Sequence, residues 1–143
     1  MLRVLLDANI FISYLLNPLA DSPIPPIIRA SVMGTFTLLL PDALLDEFSA
    51  KIVTKPYLAD RISQEEVAQL TATLMANCEV IPKITRAIPA VTRDPKDDYL
   101  LAYAVVDEAD YLATGDEDLL VLEEVQGVRI ICPRSFVVEI LTP

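Results

Sequence analysis

The chain predicts an α/β fold built on a mostly parallel sheet covered on both faces. Short apolar runs alternate with helix-like stretches along its length, the pattern of strand–crossover–strand units. The first run, Leu2 to Leu6, is continuously apolar apart from Arg3, as suits a central strand buried on both sides. Acids follow such runs directly: Asp7 follows the first, and Asp116 follows Tyr111 to Ala113 after Thr114 and Gly115. Those are carboxyl ends of parallel strands, where open α/β sheets bind their ligands.

After Asp7, Ile10 to Leu16 begins a helix. Pro18, Pro23, Pro25 and Pro26 then predict a rigid connection, and Ile27 to Met33 a second helix ended by Gly34. Phe36 to Leu40 is a second strand. Pro41 and Asp42 open a helix with Leu44, Phe48 and Ile52 at four-residue spacing, limited by Pro56. Glu47 sits at the border of that apolar stripe, whereas Asp46 points elsewhere on the wheel. Ser63-Gln64-Glu65-Glu66 is a capping box, and the helix after it carries Val67, Leu70 and Leu74 on one face.

Glu79 to Ile81 predicts a brief edge strand closed by Pro82, and Lys83 to Arg93 a loop. Asp94 and Pro95 start the next helix, with Asp97 as the possible reciprocal cap. Asp97, Leu101, Ala104 and Glu108 share one rough face of it. Tyr111 to Ala113 is a strand, Asp118 to Leu122 a short helical turn, and Val128 to Ile131 a strand after a turn at Gly127. Pro133 to Ile140 is the last helix. No repeat, linker or low-complexity tract interrupts residues 1–143, which read as one domain.

Composition narrows the chemistry. Hydrophobic content of 53% with 22% charged residues describes a packed chain rather than a disordered one. No apolar run is long enough to span a bilayer, and Leu2 to Leu16 lacks a basic leader and a small-residue cleavage site. No membrane association is expected. There is no histidine, which removes the commonest general base and metal ligand. Cys78 and Cys132 lack metal-ligand spacing and read as small buried side chains, consistent with a cytoplasmic setting. The net charge of −10 opposes nonspecific nucleic-acid binding, although the acids are concentrated. Basic residues gather loosely at Lys51, Lys55 and Arg61 and between Lys83 and Lys96, which allows a positive rim around an acidic cleft.

Four carboxylates are candidates for that cleft: Asp7, Glu47, Asp97 and Asp116. Each also has an ordinary reading. Asp7 and Asn9 can cap a helix, Glu47 can face solvent, Asp97 can complete a capping box, and Asp116 can cap the short helix after it. Asp98 competes with Asp97, and Asp118 competes with Asp116 for the cap. Like charges gathered in one cleft destabilise a fold unless a cation binds them. All-oxygen ligands favour Mg²⁺ or Mn²⁺ over zinc, and one or two ions fit four or five acids. Such an ion activates water and offsets charge on a phosphoryl oxygen.

The motifs resemble those of the PIN-domain family, particularly its VapC-like toxin nucleases. Val4-Leu5-Leu6-Asp7-Ala8-Asn9 resembles the opening strand and first acid, and Leu44-Leu45-Asp46-Glu47-Phe48 the helix-borne glutamate. The run from Arg93 to Ala104 resembles the segment with the third acid, on Asp97. The run from Ala109 to Leu120 resembles the closing motif, with Asp116 as the fourth acid and Asp118 as an additional one. The chain departs from the pattern at Glu108-Ala109, where many relatives have glycine before the alanine.

The resemblance implies a three-layer α/β/α sandwich and a metal-dependent endoribonuclease. It also implies a homodimer and a cognate antitoxin that covers the cleft. Asp7, Asp97 and Asp116, with Glu47 and Asp118, are then the metal ligands. Glu47 orients water or ligates through it, Thr114 and Asn9 support the ligands, and Lys96 or Arg93 contacts phosphate. Two rivals carry less. A phospho-receiver lacks its phosphoacceptor and its lysine after the last strand. A dinucleotide site lacks a glycine-rich loop, since only Gly34, Gly115 and Gly127 are present. An inactive RNA- or protein-binding module with the same fold remains the alternative to catalysis.

Overall fold

A computed structural model describes residues 1–84 and 95–142, with the backbone alone for 95–98. Strand β1 spans Arg3–Leu6, helix α1 Ala8–Leu16 and α2 Ile24–Met33. Then come β2 Thr37–Pro41, α3 Asp42–Thr54, α4 Pro56–Ala59, α5 Gln64–Met75 and β3 Cys78–Ile81. The second half contributes α6 Pro95–Val106, β4 Tyr111–Ala113, α7 Glu117–Leu120, β5 Glu124–Val125, β6 Val128–Ile131 and α8 Pro133–Phe136.

The strands form one sheet in the order β3-β2-β1-β4-β6-β5, parallel throughout except for β5 against β6. Helices cover it on both sides as a three-layer α/β/α sandwich. The central position of β1 explains its unbroken apolar run: Val4, Leu5 and Leu6 are all buried. β1 pairs with β4 so that Leu6 meets Ala113, and their carboxyl ends come out side by side. The expected edge strand is β3, one residue longer than the sequence suggested.

Aromatic contacts tie the layers together. Phe36 meets Phe136 edge to face at 5.5 Å between ring centroids, and Tyr111 meets Phe136 at 6.0 Å. Phe11 of α1 meets Phe48 of α3 at 6.0 Å, which fixes the Glu47 helix against the helix that follows Asp7.

Several expectations need correction. Pro25 and Pro26 belong to the first turn of α2, because the N–H groups they lack would find no partner there anyway. Two short elements carried too little pattern to be read: α4, and β5, which pairs antiparallel with β6 through a two-residue turn. Gln126 and Gly127 supply that turn's positive φ values, 48° and 90°. The last helix is α-helical only to Phe136 and widens into a π-helical turn over Val137–Leu141, where Thr142 N–H reaches back to the Val137 carbonyl at 2.9 Å. Cys78 and Cys132 are both only partly buried and both free. The apolar segments around Ile24 to Ile28 and Ile52 to Leu58, which from sequence could be either dimer interface or core, are mostly core: Ile27, Ile28, Ile52 and Leu58 are buried, while Val53 and Tyr57 are exposed.

Helix α6 ends before Glu108, so Glu108 does not share a face with Leu101 and Ala104. Ala109 N–H bonds the Ala104 carbonyl at 2.8 Å and Glu108 N–H the Val105 carbonyl at 3.2 Å, a Schellman closure. Glu108 occupies its left-handed position at φ 55°, and Gly34 closes α2 at φ 73°. The caps expected from Asp94 and Asp97, and most of the Lys83–Arg93 loop, lie outside the described residues. The capping box at Ser63 and Glu66 forms as read, with both bonds present.

Candidate functional site

Asp7 is the first residue past β1. Its N–H continues the sheet by donating to the Ala113 carbonyl at 3.0 Å, and its carbonyl accepts from Ile10 N–H at 3.0 Å as α1 begins. The residue is 8% exposed. Oδ1 accepts from Asn9 N–H at 3.1 Å, so Asp7 does cap α1, and Oδ2 accepts from Thr114 Oγ1 at 2.7 Å. A cap uses one oxygen; the short second bond comes from the neighbouring strand's end.

Thr114 is fully buried, and its N–H bonds Ile131 of β6 at 3.0 Å. Its hydroxyl donates to Asp7 and accepts from Asp116 N–H at 3.0 Å. Asp116 Oδ1 in turn accepts from Asp118 N–H at 2.9 Å. The structure thus joins Asp7 to Asp116 through one hydroxyl. Because α7 starts at Glu117 rather than at Asp118, Asp116 is its cap and Asp118 lies inside the first turn. Of the two acids competing for this cap, Asp116 takes it.

Glu47 is half-buried on α3, next to buried Phe48, and Asp46 is exposed and pairs with Lys83 at 2.8 Å. Lys51, one turn after Glu47, places Nζ 3.8 Å from Glu47 Oε2 and 3.4 Å from Asn9 Oδ1. Glu47 and Asp7 are thus linked through Lys51 and Asn9. Asp97 is the third residue of α6; its side chain, with those of Lys96 and Asp98, lies outside the described residues, as does Arg93.

Tyr99, two residues on, had no assigned role from sequence. Its hydroxyl is buried and meets no hydrogen-bond partner among the described residues. Burial first, then the nearby Glu47 carboxylate, then Asp7 and Tyr103, push its ionisation far above the usual phenol range. A bond from Tyr99 to Glu47 would act in the same direction, but its geometry is not met. The start of α6 therefore lies within electrostatic reach of both carboxylates. Nothing in the sequence marks Tyr99, since an aromatic on a helix is ordinarily core. Lys51 was visible only as one of a loose basic group.

Among the described residues, no basic side chain pairs with Asp7 or Asp116, and no three acidic or thiol side chains gather closely enough to define a metal centre. A groove of about 490 Å³ between α1, α2 and α5, lined by Tyr14, Ile28, Val32 and Leu70, lies apart from these carboxylates. No helix among the described residues is long and apolar enough to cross a membrane.

A parallel α/β sandwich with acids at adjoining strand ends defines a class of open-sheet proteins whose chemistry sits at that edge. The PIN domain family matches residues 3–118, and the chain belongs to it. Among solved structures, a chain of the VapBC2 complex from Rickettsia felis, crystallised with a DNA fragment from their promoter, superposes with a TM-score of 0.58 at 13% identity. The match covers 92% of this chain and 98% of that one, so the fold is shared across nearly its full length. No curated protein matched. Family membership supports a ribonuclease or toxin role in general terms.

Proposed function

We infer that the protein is a metal-dependent endoribonuclease, the toxin of a type II toxin–antitoxin pair, acting in the cytoplasm. The observation that carries this reading is the buried Asp7 carboxylate. It is tied through Thr114 to Asp116 at the ends of adjacent strands, with no basic partner among the described residues.

The residues fit a hard divalent cation. The donors are oxygens throughout, and a buried carboxylate with no counter-charge among the described residues favours binding one. Asp7, Asp97, Asp116 and Glu47, with Asp118 beside them, would hold Mg²⁺ or Mn²⁺. When bound, the ion supplies an activated water and offsets charge on a phosphoryl oxygen. The chain's own groups do the positioning. Thr114 holds one Asp7 oxygen, Asn9 N–H holds the other, and Glu47 orients the water that adds to the phosphodiester of single-stranded RNA. The likeness to a chain from a toxin–antitoxin complex supports a cognate antitoxin as partner, and the homodimer is part of the same proposal.

Asp7→Asn keeps the size and cap of the side chain while removing its charge. Purified variant protein should keep its circular dichroism spectrum and lose RNA cleavage. Cleavage at the wild-type rate under saturating Mn²⁺ would refute the assignment, and failure of the wild type to bind Mn²⁺ in calorimetry would favour the inactive-module reading.

A further inference from the structure

We propose that Lys51 is the residue that receives the RNA backbone: it neutralises Glu47 in the free protein and turns to a phosphate when Glu47 is engaged by a cation. The proposal rests on the nuclease reading above and adds a substrate-contacting residue to it.

Lys51 stands in the last turn of α3, one turn beyond Glu47. Its Nζ lies 3.8 Å from Glu47 Oε2 and 3.4 Å from Asn9 Oδ1. Both separations exceed the 2.7–2.9 Å typical of a charge-assisted bond, so neither partner holds the ammonium tightly. The side chain is 32% exposed, which leaves room to swing. Compare Lys83, whose Nζ is bound to Asp46 at 2.8 Å. Among the described residues, Lys51 is the loosely held cation next to Glu47, and Asn9 links it to the α1 start beside Asp7.

Charge gives it something to do. The chain carries a net −10, so an RNA backbone approaching the carboxylates meets repulsion unless a local cation receives it. An ammonium on a flexible stem suits a non-directional phosphate contact. Once Glu47 turns to a divalent ion, its attraction for Lys51 weakens and the lysine is free at the rim.

Two measurements test this. The first titrates a short mixed-sequence single-stranded RNA with Asp7 intact and Ca²⁺ in place of Mn²⁺, so that the cation site is filled while the RNA stays whole, over a range of salt. Lys51→Met should lower the slope of log affinity against log salt by about 0.7, equivalent to about fivefold weaker binding at about 0.1 M salt. Lys51→Arg should keep the slope. The second titrates Mn²⁺ alone into protein with Asp7 intact, where Lys51→Met should bind the ion as tightly as the wild type or more so. An unchanged RNA slope overturns the proposal, and so does a tenfold loss of Mn²⁺ affinity, which would make Lys51 a support of the metal ligands. Absence of RNA binding by the parent protein would instead undo the nuclease reading itself.

Discussion

Replacing Thr114 by valine removes one hydroxyl and leaves the shape almost unchanged. That hydroxyl makes two bonds in a fully buried position: it donates to Asp7 Oδ2 at 2.7 Å and accepts from Asp116 N–H at 3.0 Å. A hydrogen bond to a charged group contributes roughly 1.5–3 kcal/mol, and one to a backbone N–H about 1 kcal/mol. The expected loss of stability is therefore about 2.5–4 kcal/mol, a large part of the ~5–15 kcal/mol that holds a typical domain folded. With a urea m-value of ~2 kcal/mol/M the unfolding midpoint should fall by roughly 1–2 M at unchanged m.

The same bond fixes which way Asp7 faces, and groups that orient a metal ligand typically change affinity by about 10–100-fold. Calorimetric titration should show Mn²⁺ binding weakened by that order in Thr114→Val. Thr114→Ser keeps the hydroxyl and loses a methyl, so it should cost about 1 kcal/mol in stability and bind Mn²⁺ nearly as the wild type does. If valine destabilised the fold while leaving Mn²⁺ affinity untouched, Thr114 would be a buried packing residue. The idea that the strand ends aim Asp7 would then be wrong.

Two further outcomes follow from particular residues. Asp107 has a buried Oδ2 without a hydrogen-bond partner among the described residues, and its carboxyl is raised above the ordinary value first by burial and then by Glu79, with Arg3 opposing. A raised folded value means that the protonated acid favours the fold; the benefit is complete below the ordinary carboxylate range and is lost as pH rises through the folded value. Asp107→Asn should therefore be more stable than the wild type at about pH 7, and the gap should close by about pH 3.5; urea midpoints at both values check it. Glu108→Gly relieves a left-handed residue at φ 55°, the place Gly34 fills at the end of α2, and should raise stability by ~1 kcal/mol, read as an upward shift in melting temperature.

Much of the sheet was legible because its central strands are buried on both faces and therefore uniformly apolar. Asp7 and Asp116 could be brought together from topology alone, since right-handed crossovers put parallel strand ends on one side. What escaped were features set by partners distant in sequence. β5 is two residues long and owes its existence to pairing with β6, so no periodicity within it could announce a strand. The first turn of α2 escaped because two prolines look like a connection when only local pattern is weighed. The cap on α7 stayed open between Asp116 and Asp118 because one residue of helix boundary decides which of them takes it.

The acids also differ in how they are held, and that difference has a physical origin. Asp7 sits at a strand end with both oxygens bonded, and Asp116 uses Oδ1 at its cap and its N–H on Thr114, so their positions follow from the register of β1 against β4. Glu47 rides on a helix, placed by the packing of Phe48 against Phe11, and among the described residues its nearest cation, Lys51 Nζ, lies 3.8 Å away. On the nuclease reading proposed above, the strand-borne pair would set a position and the helix-borne acid would adjust to water or substrate. The same difference explains why the strand-borne acids could be paired from sequence and Glu47 could not. Register is written in the alternation of apolar runs, while the reach of a helix side chain depends on the ring-on-ring contact beneath it.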